Sequence, residues 1–193
     1  MQTVALIDYG SGNLRSAQKA LREAARRRDI AADIVLTADP DLVAKADRVF
    51  LPGVGAFASC RAGLDATGVY EAMNEAVHGR GQPFMGICVG HQLLATEGLE
   101  FGVTPGLDWI GGQVKKLEPT DPALTIPHMG WNAISFVREH PLFAGVPDGA
   151  HMYYANSFAL TAADPADVVA VTDHGGPFTA AVAKGNVAGV QFH

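Results

Sequence analysis

Gly86-Ile87-Cys88-Val89-Gly90 is the segment that most tightly constrains how this chain can fold. It follows the apolar run Pro83-Phe84-Met85 and precedes the helical pattern His91-Gln92-Leu93-Leu94. A G-x-nucleophile-x-G segment is a tight turn from a strand into a helix. Side chains at its two glycine positions would collide with neighbouring backbone. The turn lifts its central residue, here Cys88, clear of the sheet edge and over the first N–H groups of the helix.

The position sets what the thiol needs. A free cysteine has a pKa of about 8.5 and is mostly protonated at neutral pH. A helix N-terminus favours the anion by ~0.3–1 kcal/mol, or ~2 kcal/mol when partly buried. At ~1.36 kcal/mol per unit this is at most about one and a half pKa units. The expectation is a partly ionised thiol that still needs a basic partner, usually histidine. A buried structural cysteine is the competing reading. The flanking glycines and the strand-to-helix setting favour the nucleophile.

Around the elbow, the first half of the chain alternates strands and helices. Val4–Ile7, Ile34–Leu36, Arg48–Leu51 and Phe84–Ile87 read as short apolar strands, and Leu14–Arg28 and Ser59–His78 as helices. Continuous apolar strands separated by helices predict a parallel sheet in an α/β domain. Ligands of such sheets bind beyond the carboxyl ends of the strands. Three Gly-rich turns leave strand ends: Tyr9-Gly10-Ser11-Gly12-Asn13, Pro52-Gly53-Val54-Gly55 and the elbow. They are expected on one rim. The second half is richer in β patterns. Strands are expected at Gly111–Leu117, Asn132–Val137, Met152–Leu160, Val168–Thr172, Phe178–Lys184 and Val187–Phe192, with a tight turn at Lys184-Gly185-Asn186. The 193 residues suit one domain.

The charge balance narrows the function. A net charge of −6 carries no nucleic-acid-binding signature. The cluster Arg22, Arg26, Arg27 and Arg28 reads as a solvated helix face. No apolar run is long enough to span a membrane, no secretory leader is visible, and the cytoplasm is the expected location. The two cysteines, Cys60 and Cys88, suggest no disulfide framework, and Cys60 reads as a plain helix residue. No metal-ligand cluster or phosphate loop is visible, so neither metal nor cofactor is expected.

Two further segments converge on Cys88. Pro52-Gly53-Val54-Gly55 leaves a strand with its N–H groups unobstructed. Beside a cysteine nucleophile, Gly53 and Val54 are natural oxyanion donors together with the N–H of Val89; taken alone, the segment is an ordinary Pro-Gly turn. Gly189-Val190-Gln191-Phe192-His193 reads as a strand that brings His193 to the same rim. A lone histidine is weak evidence in a chain with seven of them. His78, His140 and His174 sit in polar or turn surroundings, and His91 is expected to point away from the thiol.

Gly-Ile-Cys-Val-Gly-His-Gln, Pro-Gly-Val-Gly and Gly-Val-Gln-Phe-His together resemble the class I, triad-type glutamine amidotransferases over nearly the whole chain. The stretches Asp8–Leu14, Pro52–Phe57, Thr104–Leu107 and Ile126–Asn132 resemble, within that family, the glutaminase subunits of imidazole glycerol phosphate synthase. The resemblance implies a single class I glutamine amidotransferase domain over 1–193, an α/β fold with a mixed, mostly parallel central sheet flanked by helices. It implies that Cys88 is the nucleophile and His193 the base in the hydrolysis of L-glutamine. Gln92, Glu100, Asn156, Ser157 and Phe158 would hold the substrate. Asn13, Trp131 and Tyr153 would face a cyclase subunit that receives the ammonia, in a heterodimer. Together the two subunits would form imidazole glycerol phosphate and aminoimidazole carboxamide ribonucleotide in histidine biosynthesis.

The chain departs from the family pattern in three places. His91 stands where methionine is usual in this subunit, Asn156-Ser157-Phe158 stands for His-Ser-Tyr, and the Pro-Glu that carries the third triad member does not follow His193. The expectation is therefore a domain truncated after the triad histidine. The alternatives are the glutaminase of another synthase, such as anthranilate synthase, a catalytically impaired binding subunit, or another cysteine hydrolase on the same elbow.

Overall fold

A computed structural model describes residues 1–193. The N-terminal half lays down a parallel sheet one strand at a time. β1 (Gln2–Ile7) leads through the turn at Tyr9–Asn13 into α1 (Leu14–Arg27), and β2 (Ala32–Thr37) returns beside β1. α2 (Pro40–Lys45) follows, begun by Asp39, whose side chain accepts a hydrogen bond from the Asp41 N–H at 3.0 Å. β3 (Arg48–Gly53) pairs on the other side of β1. The helical stretch expected as one rod is broken. α3 (Phe57–Thr67) ends at Gly68, whose φ of +69° lies in the left-handed region. α4 (Val69–Asn74) restarts the chain and closes in a π-helical turn, Glu75–Gly79. β4 (Phe84–Cys88) then feeds α5 (Val89–Gln92), a single turn instead of the longer helix that the pattern suggested.

The C-terminal half differs more from its sequence pattern. β5 (Glu97–Gly98), β6 (Thr104–Pro105) and β7 (Gly112–Lys116) begin a small second sheet. The expected strand Asn132–Val137 is two, β8 (His128–Ala133) and β9 (Ser135–Phe136), in different sheets. The expected strand Met152–Leu160 is likewise two, β10 (His151–Asn156) and β11 (Phe158–Ala162), parted at Ser157. β12 (Val168–Asp173), β13 (Pro177–Lys184) and β14 (Val187–Val190) complete the chain, and Gln191–His193 lie beyond the last strand.

The central sheet has the order β2-β1-β3-β4-β14-β13-β12-β9. Its first five strands are parallel and its last three antiparallel. β8 and β10 form a separate ribbon, and β11-β7-β5-β6 the small sheet. Two apolar clusters pack the faces, and β13 contributes to both as a continuous apolar run. Val182 joins the cluster built by α2–α5, whereas Ala180, Ala181 and Ala183 join the cluster of Ile134, Phe143, Tyr154 and Phe192. Because β1, β3, β4 and β14 run in parallel, the turns after Ile7, Gly53 and Cys88 and the segment Gln191–His193 emerge on one rim. Tyr9 Oη donates to the Pro52 carbonyl at 2.8 Å and ties the first two turns together.

Candidate active site

The elbow shows why its glycines are required. Cys88 has φ +56°, ψ −113°, a conformation that a side-chain-bearing residue holds only under constraint. A Cβ on Gly90 would lie 1.7 Å from the Leu51 carbonyl oxygen of β3, and one on Gly86 would lie 2.5 Å from the Gly90 carbonyl oxygen. β3, β4 and α5 can therefore close up only where these side chains are absent.

That packing places Cys88 at the floor of a cavity of about 340 Å³. Of the residues singled out in the sequence, Cys88, His193, Val54, Val89, Gln92, Glu100, Asn156, Ser157 and Phe158 all line it. Gly53 does not; it faces a neighbouring groove together with Asn13 and Tyr153. His91 is fully buried against Gly189 and does not line the cavity.

The thiol is harder to ionise than the elbow suggested. Burial pushes Cys88 up to about 11, and Cys60 adds to the rise. The opposing influence is the Val89 N–H, which hydrogen-bonds the sulfur. The helix behind it is one turn long, so its dipole is too small to offset desolvation. His193 is held below the usual histidine range by partial burial, which leaves it neutral and able to accept a proton. Its ring makes no hydrogen bond within the chain; its backbone N–H donates to the Tyr153 carbonyl at 3.0 Å.

The Pro52–Gly55 loop is tied to the turn after β1. The Val54 N–H donates to Ser11 Oγ at 3.2 Å, and Ser11 Oγ donates to the Val54 carbonyl at 2.6 Å. Cys60 is not a bystander in its helix: it is buried, and its Sγ donates to the same carbonyl at 3.3 Å. In this conformation the Val54 N–H is engaged by Ser11, which leaves the Val89 N–H as the backbone donor at the sulfur.

The rest of the cavity offers acceptors. Glu100 Oε2 accepts the Phe57 N–H at 2.8 Å, which fixes the carboxylate at the start of α3. Asn156 donates to the Phe158 carbonyl at 3.1 Å, and its buried Oδ1 has no partner. Gln92 donates to the Phe158 carbonyl and to Gln191 Oε1, both at 2.9 Å. Gln191, absent from the sequence-based list, donates to Cys88 Sγ at 3.7 Å. Its place in the Gly-Val-Gln-Phe-His segment was visible, but a polar residue at a strand end has no direction until the sheet is assembled. No group of three or more metal-ligating side chains is present, and no helix is long and apolar enough to cross a membrane.

Beyond the cavity, Trp131 is 70% exposed and meets Tyr153 edge-on across the β8–β10 ribbon, with ring centroids 5.7 Å apart. Met129, on the same strand, is 65% exposed.

A model of the class-I glutamine amidotransferase family matches residues 5–193. The imidazole glycerol phosphate synthase subunit HisH of Caulobacter vibrioides is 87% identical over 193 residues, covering all of this chain and 91% of that protein. The HisH subunit of Mesorhizobium japonicum is 56% identical, covering 98% of this chain and 90% of that protein. Among solved structures, a glutamine amidotransferase aligns with a TM-score of 0.70 at 17% identity over 98% of this chain and 89% of that one. One from Thermotoga maritima aligns at 0.65, also at 17% identity, over 100% of this chain and 75% of that one. The structural likenesses establish the fold, and the sequence relatives go further: the chain belongs to the class-I glutamine amidotransferases and, within them, to the HisH subunits of imidazole glycerol phosphate synthase.

Proposed function

We propose that residues 1–193 act as one glutaminase domain that hydrolyses L-glutamine and hands the ammonia to a cyclase subunit of imidazole glycerol phosphate synthase, in the cytoplasm. The observation that carries this reading is the meeting of a cysteine on an elbow, a neutral histidine and a set of unpaired acceptors in one small cavity. A volume of about 340 Å³ suits a small metabolite. Glu100 supplies negative charge for the α-ammonium of glutamine. Gln92 Oε1 and Asn156 Oδ1 take no hydrogen bond from the chain and suit the N–H groups of the substrate.

The chemistry follows from the two reactive side chains. The Cys88 proton passes to a ring nitrogen of His193, and the sulfur attacks the side-chain carbonyl carbon of glutamine. The tetrahedral oxyanion is stabilised by the backbone N–H of Val89 at the elbow; in the Pro52–Gly55 loop the Val54 N–H joins it only on releasing Ser11 Oγ. His193 returns the proton to the departing amine, which leaves as ammonia. Water, deprotonated by His193, then attacks the glutamyl thioester and releases glutamate and the Cys88 thiol. Asn13, Trp131 and Tyr153 are the proposed docking residues, and the exposed aromatic pair is the kind of anchor an interface uses. The relatives do not favour the glutaminase of another synthase.

The test is a Cys88→Ala variant assayed with the cyclase. It should lose glutamate release from glutamine yet support cyclase turnover when ammonium is supplied. Persistent glutamate release would overturn the assignment of the nucleophile.

A further inference from the structure

Gln191 is a fully buried amide two residues before the candidate base, just past the end of β14, the strand that pairs with β4, whose last residue is Cys88. An amide can be turned either way, so its direction has to be set by an unambiguous partner. Here that partner is the Phe158 backbone carbonyl, which can only accept. It forces Gln92 to present its NH₂ group, and the second hydrogen of that group reaches Gln191 Oε1 at 2.9 Å. The NH₂ end of Gln191 is thereby left facing Cys88 Sγ, 3.7 Å away. Each link fixes the next, and the polarity runs one way from Phe158 to the sulfur.

We propose that Gln191 is a second donor to the nucleophilic sulfur, held in that role by the one-way amide relay Phe158–Gln92–Gln191. The assignment rests on Cys88 being the nucleophile and adds a residue to its machinery. A donor does little for a neutral thiol but strengthens when its acceptor becomes an anion. As the proton leaves Sγ for a His193 ring nitrogen, Gln191 and the Val89 N–H both point hydrogen at the forming thiolate. Burial otherwise works against that charge. The same relay spends both hydrogens of Gln92, so its oxygen is the atom left for substrate. One set of hydrogen bonds thus serves both the thiolate and the acceptor that meets glutamine.

The test is the pH dependence of Cys88 alkylation by iodoacetamide in the full chain without substrate, with the adduct located by peptide mass spectrometry. Gln191→Met keeps the length of the side chain and removes both amide functions. It should move the apparent thiol pKa up by about one unit, which is about tenfold slower alkylation at a fixed pH below it. Gln92→Met breaks the relay one link earlier and should shift the profile in the same direction by less. If Gln191→Met does not fold, the Gln92→Met profile decides. An unchanged profile in a folded Gln191→Met protein, or in Gln92→Met when it alone folds, overturns the proposal. The assay reads the thiol itself, so it is separate from the nucleophile assignment, which would instead fail if Cys88→Ala still released glutamate.

Discussion

His91 offers a test of the packing behind the elbow. Its imidazole is fully buried, and neither ring nitrogen has a hydrogen-bond partner; the nearby Gly189 backbone makes no bond of acceptable geometry with it. Burial lowers its pKa to about 3, against about 6.5 in an unfolded chain. The sign follows directly. Below about pH 6.5 the unfolded state takes up a proton that the folded state refuses, so stability falls as pH falls, down to the folded value. At about pH 5 this is one and a half units of unmatched protonation, or about 2 kcal/mol at ~1.36 kcal/mol per unit. For a domain of this size that corresponds to ~4–8 °C in Tm. His91→Met removes the titrating group and fills the space with a flexible apolar side chain. Melting followed by circular dichroism at about pH 7.5 and about pH 5 should show a larger acid-induced drop in the parent than in the variant, by that amount. Equal drops in the two proteins would refute the claim that His91 is buried neutral and unpartnered.

Gly90→Ala sets a Cβ against the backbone oxygen of Leu51, which no side-chain rotation can relieve. Calorimetry should show a loss of ~3 kcal/mol or more together with loss of activity, whereas Gly185→Ala, with φ +58° and open space around it, should cost only about 1 kcal/mol. Trp131→Ala should weaken cyclase binding by about 2 kcal/mol, near thirtyfold in Kd by titration calorimetry, and leave Cys88 alkylation unchanged.

The convergence on one rim was legible because its causes are local. Gly53, Gly86 and Gly90 mark turns that nothing bulkier can occupy, and apolar strands between helices imply parallel order, which sends all those turns to one edge. What the sequence left hidden depended on partners distant in the chain. The strand patterns around Ile134 and Ser157 do not record that the chain changes sheets there, since alternation looks the same on either side of the switch. α5 was read too long because Leu93 and Leu94 continue a helical spacing. In the structure, the Leu94 and Ala95 N–H groups bond only three residues back, to His91 and Gln92, and the turn closes. The short α2 carried a readable signal, Asp39 followed by Pro40, but too few residues to show a period. Gln191 and Ser11 acquired their roles only when β14 met β4 and the β1 turn met the β3 turn. The ionisation of Cys88 was misjudged because a sequence shows the helix start but not the depth of burial.

Cys88 is proposed to attack glutamine while His193 accepts its proton, in the cavity that Gln92, Glu100 and Asn156 complete. The most direct measurement is covalent labelling with a chloroketone analogue of glutamine in the presence of the cyclase, read by peptide mass spectrometry. A single adduct on Cys88 is expected, slowed by L-glutamine and lost in Cys88→Ala. An adduct on Cys60, or labelling of Cys88 that L-glutamine does not slow, would contradict it.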